Sequence, residues 1–417
     1  MSTWPPLTLP LAMSAVTLGN MIIVTADAVG ERMEHLLGDL RGSSGLPGSS
    51  DRSGLPGRKA DDRALDAVWE EAVEAGRGGK RLRALLLWDT YRAVEPQEDE
   101  ARDRSVLDLA CAVEIYQTSA LVHDDIIDDA DMRRGRPSSH RQLGEAMSLL
   151  APPGPGQEAG AGTDAQNRRL HDGRRVRGRG LGILLGDLLA TVSADIARKA
   201  GGRLGRLDEV TDTFLGMQRA VTLGQVLDLG MEDMPLDDPA GLCKAALRTM
   251  RWKTASYTTV APIHLGLLAA GADEGLATWT AEGVGEDLGV AYQLMDDLAD
   301  LESDSSQTGK PRYGDIREGK RTVLLSQALT SATGADRRLL VQAYQAPLRD
   351  GEMVDRVASI LIGCGAVEKV RAMAADRVDR ARTRLEEACG RLALGADGEA
   401  IWRRACGRFV PNGPRAL

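Results

Sequence analysis

Long proline-free stretches constrain this chain more than any other feature. Proline is absent from 97 to 136, 156 to 234, 263 to 310 and 348 to 410. It lacks the N–H that a helix interior needs and clashes with the preceding turn, so uninterrupted helices are permitted over most of the length. Composition agrees: Ala, Leu, Arg and Glu abound while aromatic residues are 3%, a mixture that prefers helix to strand. Apolar residues recur with helical period at 26–40, 61–75, 80–94, 105–123, 181–200, 206–230, 240–250, 252–270, 282–300, 320–330, 335–346 and 366–393, and no convincing run alternates as a strand would. In 105–123, Val106, Leu109, Ala110, Val113, Gln117, Ala120 and Leu121 make one stripe. The expected fold class is all-α, with about ten to thirteen helices.

Two segments break the pattern. Residues 41–60 repeat GLPG among Ser and Gly, and 151–180 read "APPGPGQEAGAGTDAQNRRLHDGRRVRGRG", compositions that bury too little apolar surface to order themselves. The chain is therefore expected to have a leader, first helix and Gly/Ser/Pro-rich loop over 1–60, then one helical domain over 61–417. A flexible insertion at about 151–180 is expected to dangle rather than cover a site. The first charge is Asp27, and without a basic n-region the apolar stretch before it reads as a leader rather than a secretory signal. Pro and polar residues keep it short of a membrane span, so stable membrane insertion is not expected. Five cysteines lack CxxC spacing, as in reduced cytoplasmic proteins. The net charge of −9 gives no sign of a nucleic-acid surface, so any anionic ligand must meet local basic clusters.

Local clusters are present. Residues 121–137, "LVHDDIIDDADMRRGRP", crowd five aspartates into eight positions and follow them with three arginines. As helical residues, Asp124 and Asp128 are i, i+4 neighbours with Asp125 beside them. Carboxylates so placed repel unless cations lie between them, and Mg²⁺ suits such oxygen ligands together with substrate phosphates. A solvated acidic helix end is the alternative for one such cluster alone. At 293–300, "QLMDDLAD" repeats the DDxxD pattern with Asp296, Asp297 and Asp300. Two facing carboxylate rims with Mg²⁺ would hold a multiply anionic group. The short motifs GGKRLR (78–83), RRGRP (133–137), WKT (252–254), GK (309–310) and EGK (318–320) supply the guanidinium forks and ammonium charges that bind phosphates.

Over about 60–330 the chain resembles the trans-isoprenyl diphosphate synthases, the polyprenyl synthetase family. GGKRLR, HDDIIDDADMRRGRP, LLGDLLA, WKTASY, YQLMDDLAD and GKPRYGDIREGK occur in the family's order. The resemblance implies an isoprenoid synthase-type helical bundle around a central cavity, assembled as a homodimer. It implies that Asp124, Asp125, Asp128, Asp296, Asp297 and Asp300 ligate Mg²⁺, about three ions per site, around an allylic diphosphate (dimethylallyl, geranyl or farnesyl). Arg133, Lys253 and Lys310 would bind that diphosphate with Lys320 close by, and Lys80, Arg83 and Arg134 would hold isopentenyl diphosphate. Thr254, Tyr257 and Gln293 match positions whose oxygen dipoles lie near the allylic cation; an ordinary buried polar role is the alternative for each.

The chain departs from the family pattern in places. Ala84 stands where Pro is usual, which should alter only a helix start. Gln117 replaces a His common in bacterial relatives; its amide donates to phosphate but carries no charge. Where C15-forming relatives have a bulky aromatic four or five positions before the first motif, this chain has Ala120 and Ser119. Tyr116, about one turn or 5.4 Å further along, is the first large side chain able to floor the tunnel, so the expected product is the C20 geranylgeranyl diphosphate. A farnesyl or longer polyprenyl product stays open, as does a class I terpene cyclase. The intact second DDxxD with Lys80 and Arg83 argues against a cyclase, and two complete motifs argue against a non-catalytic subunit.

Overall fold

The first turn of the central helix shows how local sequence becomes structure here. Asp99 caps α4 (Glu100–Ile127) by accepting from the Ala101 and Arg102 N–H groups, both at 3.1 Å, and Glu100 and Asp103 place negative charge at the positive end of the helix dipole. Val106, Leu109, Cys111, Val113 and Ile115 are fully buried around its circumference. By length and apolarity α4 would suit a membrane span, yet 83% of that apolar window is buried inside the protein; it is a core helix.

The computed structural model describes residues 16–18, 21–43, 58–150, 164–302 and 312–410. Expectations for residues 1–15, 44–57 and 151–163, and for Lys310, lie outside them. Before and around α4 come α1 (Ala26–Ser43), α2 (Arg58–Gly76), α3 (Leu82–Val94), α5 (Ser139–Leu150), α6 (Asp164–Arg203) and α7 (Leu207–Met231). Next, α8 (Pro239–Thr249) runs through a π-helical segment, Met250–Val260, into α9 (Ala261–Ala269), and α10 (Glu274–Thr280) runs through a second, Ala281–Gly285, into α11 (Glu286–Glu302). The chain continues with α12 (Gly314–Glu318), α13 (Val323–Ser331), α14 (Gly334–Gln345), α15 (Gly351–Gly363), α16 (Ala366–Arg391) and α17 (Ala396–Gly407). The fold is all-α. There are more helices than expected because 139–150, 351–363 and 396–407 follow turns that hid their period, and 274–280 and 314–318 are too short to show one.

Two apolar clusters form the core. One surrounds α4 with α1, α2, α3, α6, α7, α9, α17 and the second half of α16; the other gathers α8, α12–α15 and the first half of α16. Helix α11 serves both, with Leu288 and Ala291 in the first and Val290, Leu294 and Leu298 in the second. The seam runs along 288–291, and the outer turns lie in the second cluster.

Three sequence expectations change. First, residues 164–180 are not a dangling insertion but the opening turns of α6, packed on α5. A Cβ at Gly178 would overlap the His140 carbonyl and one at Gly144 would press on the Arg174 carbonyl, so Gly178, within the stretch read as loose, is a point of close helix approach. Second, short strands exist: Val16–Leu18 pairs with Met21–Ile23, and Met132–Arg133 with Arg136–Pro137. Runs of two or three residues cannot display alternation. In the second pair Arg134 (φ 52) and Gly135 (φ 77) make the two-residue turn with both φ positive that suits a tight hairpin. Third, the helix read at 252–270 contains Pro262, which has no N–H and crowds the carbonyl four residues back. The helix opens just before it, and the Ala261 N–H donates five residues back, to Ser256.

Candidate active site

The last turn of α4 presents the first aspartate cluster. Asp128 closes the helix, its N–H donating to the Asp124 carbonyl. Asp125 is buried and accepts from Arg133 Nε at 2.7 Å and from a second Arg133 nitrogen. Asp124 accepts from Lys253 Nζ at 3.3 Å and Gln225 Nε2 at 3.2 Å, and Arg133 stands 3.6 Å from its other oxygen. Lys253 also donates to Asp228 at 2.6 Å. Burial, reinforced by the charge of Asp124, pushes the Asp128 carboxyl up to about 6.

Across a cavity of about 350 Å³ stands the outer end of α11, so that Asp128 lines one wall and Asp296, Asp297 and Asp300 another. Thr254 donates to Gln293 Oε1 at 3.0 Å, and Gln293 Nε2 donates to Asp297 at 2.9 Å. Burial, then the charges of Asp315 and Asp296, hold the Asp297 carboxyl well above its usual range. Its Oδ2 is buried with no hydrogen-bond partner. Asp300 accepts the Asp315 N–H at 3.1 Å, and Lys320 lies 3.6 Å from Asp315 and 2.7 Å from Glu318. No three His, Cys, Asp or Glu among the described residues converge tightly enough to enclose an ion by themselves. Asp128, Asp296, Asp297 and Asp300 instead share the lining of one cavity.

A second basic cluster lies on the other side of the Arg133–Arg136 hairpin. Arg133 turns to the aspartates, whereas Arg134, at the tip, packs over Gly79 and donates to the Arg77 carbonyl at 3.1 Å. Burial and the neighbouring charge of Arg81 lower the Arg134 pKa, with Arg133 and Arg83 contributing. Asp125 pairs with Arg133, and the charge of Glu114 partly offsets these cations. Arg83 is buried over the Tyr257 ring, 4.1 Å from its centroid, and donates to Thr258 at 2.8 Å; Lys80 is exposed and Gln117 half-buried nearby on α4. Ala84, expected only to alter a helix start, donates its N–H to Glu114 at 3.1 Å, and Glu114 also lies 3.8 Å from Arg81. A proline there would lack that donor.

Further along α4, Ala120 is half-buried and Ser119 donates to the Gly186 carbonyl at 2.7 Å. Tyr116 donates to the Gln218 carbonyl at 3.2 Å and meets Phe214 edge to face, 6.3 Å between centroids. The two rings meet between α4 and α7.

The sequence profile of polyprenyl synthetase matches residues 63–152 and 168–361. The chain belongs to the polyprenyl synthetase family. The short chain isoprenyl diphosphate synthase of Methanothermobacter thermautotrophicus is 28% identical over 78% of this chain and 87% of its own. The farnesyl diphosphate synthase of Geobacillus stearothermophilus is 31% identical over 66% and 80%. Among solved structures, geranylgeranyl pyrophosphate synthase from Corynebacterium glutamicum, complexed with isoprenyl diphosphate and magnesium, superposes with a TM-score of 0.69 at 27% identity, covering 92% of this chain and 97% of that one. The chain is a trans-prenyltransferase.

Within this polyprenyl synthetase the fold assembles most of the residues singled out from sequence: Asp128, Lys253, Thr254, Gln293, Asp296, Asp297, Asp300 and Lys320 line the cavity, Asp124, Asp125 and Arg133 border it, and Arg83 and Arg134 belong to the separate basic cluster, while Lys80 is exposed. Gln225, Asp228 and Asp315 also line the cavity and were not anticipated. Gln225 and Asp228 were detectable as polar residues one turn apart within the apolar period of 206–230. Asp315 lies in GKPRYGDIREGK, outside either DDxxD spacing.

Proposed function

We propose that this enzyme is a geranylgeranyl diphosphate synthase, extending allylic diphosphates with isopentenyl diphosphate to the C20 product. The observation that carries the chain length is the Tyr116–Phe214 pair, a floor one helical turn beyond the small residues Ser119 and Ala120. In this reading Asp124, Asp125 and Asp128 oppose Asp296, Asp297 and Asp300 across bound Mg²⁺. The hard oxygen donors fit that ion, and the unpartnered buried Oδ2 of Asp297 is an acceptor that a cation would satisfy. About three Mg²⁺, when bound, supply charge that stabilises the departing diphosphate.

Lys253, Arg133 and Lys320, with Lys310, bind the allylic diphosphate and hold its oxygens as the C–O bond breaks and its electron pair leaves with the diphosphate. Thr254, Gln293 and Tyr257 aim oxygen dipoles at the resulting allylic cation. Lys80, Arg83, Arg134 and Gln117 hold isopentenyl diphosphate so that its terminal double-bond carbon attacks that cation. A C–C bond forms, and a proton passes to the released pyrophosphate. The active unit is a cytoplasmic homodimer joined through α6 and α7, where Val176, Ile183, Leu184, Leu223, Val226 and Leu229 expose apolar surface.

Product analysis with isopentenyl diphosphate, Mg²⁺ and each of the C5, C10 and C15 primers tests the reading. C20 is expected from all three, with Tyr116→Ala lengthening the product and Ser119→Phe shortening it toward C15. Turnover without isopentenyl diphosphate would identify a cyclase instead. A wild-type product of C15 or beyond C20, with neither substitution moving it, would overturn the floor.

A further inference from the structure

The five aspartates between 124 and 131 divide into two sets. Asp124, Asp125 and Asp128 belong to the cavity and its rim, but Asp129, one peptide beyond Asp128, is bound to α5 and α6. Its carboxylate accepts from Arg141 at 2.9 Å, from Arg179 at 2.6 Å and from Arg175. Arg141 also binds Asp131 at 2.8 Å. Slight burial opposes ionisation, yet hydrogen bonds from Arg179 and Arg175 and the nearby guanidinium charges hold the Asp129 carboxyl down at about 2.

The backbone gives this anchorage its consequence. Asp129 is left-handed, φ 51, a conformation that strains most residues but that Asp, Asn and Gly accept more readily. It is the first residue beyond the α4 cap, and the next, Ala130, returns its N–H to the Asp125 carbonyl at 2.9 Å. Whatever holds Asp129 therefore holds the peptide plane from which the Asp128 carboxylate projects into the cavity. Two of its three arginines stand i, i+4 on the opening turns of α6, the stretch that sequence alone read as loose.

We propose that Asp129, gripped by Arg141, Arg175 and Arg179, is a positioning residue that sets the direction of the Asp128 carboxylate and couples divalent-cation affinity to the seating of the first turns of α6. The inference rests on the proposed role of Asp128 in the metal clamp. Without the grip, Asp128 samples directions that do not converge with Asp296 and Asp297, and cation binding must supply the ordering.

Calorimetric titration of the full chain with Mg²⁺ in the presence of inorganic pyrophosphate tests this without turnover. Asp129→Asn and Asp129→Gly both keep the left-handed backbone accessible while removing the charge, and each is expected to weaken Mg²⁺ binding about tenfold. The pair Arg175→Gln with Arg179→Gln should do the same, and Arg175→Lys with Arg179→Lys should recover most of the loss. Arg177→Gln, on the same helix but outside the cluster, should bind as wild type. Unchanged Mg²⁺ affinity in folded Asp129→Gly or in the double Gln variant would overturn the proposal. Asp124→Ala separates the two levels: it should abolish binding, and if it binds normally the metal clamp itself is wrong.

Discussion

Asp297 is the proposed metal-binding residue most at odds with its surroundings. It is buried beside Asp296 and Asp315, with one oxygen bound to Gln293 and the other to nothing. A buried carboxylate so placed destabilises a protein that holds no cation. Asp297→Asn should therefore raise the thermal midpoint of the metal-free enzyme while lowering turnover about a thousandfold or more; calorimetry and steady-state kinetics on one preparation check both. Elsewhere, His140 sits 1% exposed beneath α6, where burial and then the charge of Arg141 push its pKa down to about 4. The unfolded chain binds the proton first as pH falls, so the stabilising contribution is complete above about 6.5 and lost between about 6.5 and 4, on the order of 3 kcal/mol in all. Urea unfolding at pH 7 and pH 4.5 should show this loss reduced in His140→Gln.

At the scale of elements, the π-helical segment decides where Lys253 and Thr254 stand. It is wedged between α7 and α11 at glycines: a Cβ at Gly224 would overlap the Lys253 backbone, and one at Gly289 would lie 2.6 Å from Ala255 Cα. Wider π turns are common where helices carry functional groups, and here Pro262 explains the opening. Gly224→Ala should push the segment off α7, costing about 1–3 kcal/mol of stability by overpacking. It should also raise KM for the allylic substrate about tenfold, with little change for isopentenyl diphosphate. Equal loss toward both substrates in steady-state assays would refute a local displacement.

For the whole molecule, α6 and α7 stay antiparallel, with Gln218 Nε2 donating to the Ala190 carbonyl at 3.3 Å. Together they turn Leu184 (62% exposed) and Val226 (61%) outward. Such an apolar stripe on helices that also carry the site suits an isologous partner. Wild-type protein should scatter light as a dimer, and Leu184→Asp with Val226→Asp should scatter as the 44.6 kDa chain.

Sequence by itself determined the helical class, the family and the two aspartate triplets, because helical period, proline placement and motif spacing are local properties of the chain. Helical spacing put Asp128 beside Asp124 but could not show that the adjacent, chemically identical Asp129 has different partners. Their difference comes from Arg175 and Arg179, more than forty residues away and brought back by the packing of α6. Gly178 likewise read as part of a break and Gly224 as an ordinary helical residue, but in the fold both are contacts, since a missing side chain acquires meaning only from the neighbour that fills its space. The pairing of Tyr116 with Phe214, and of Ala84 with Glu114, belongs to tertiary structure for the same reason: one partner's chemistry is local, while the distance between the two is set by every helix packed around them.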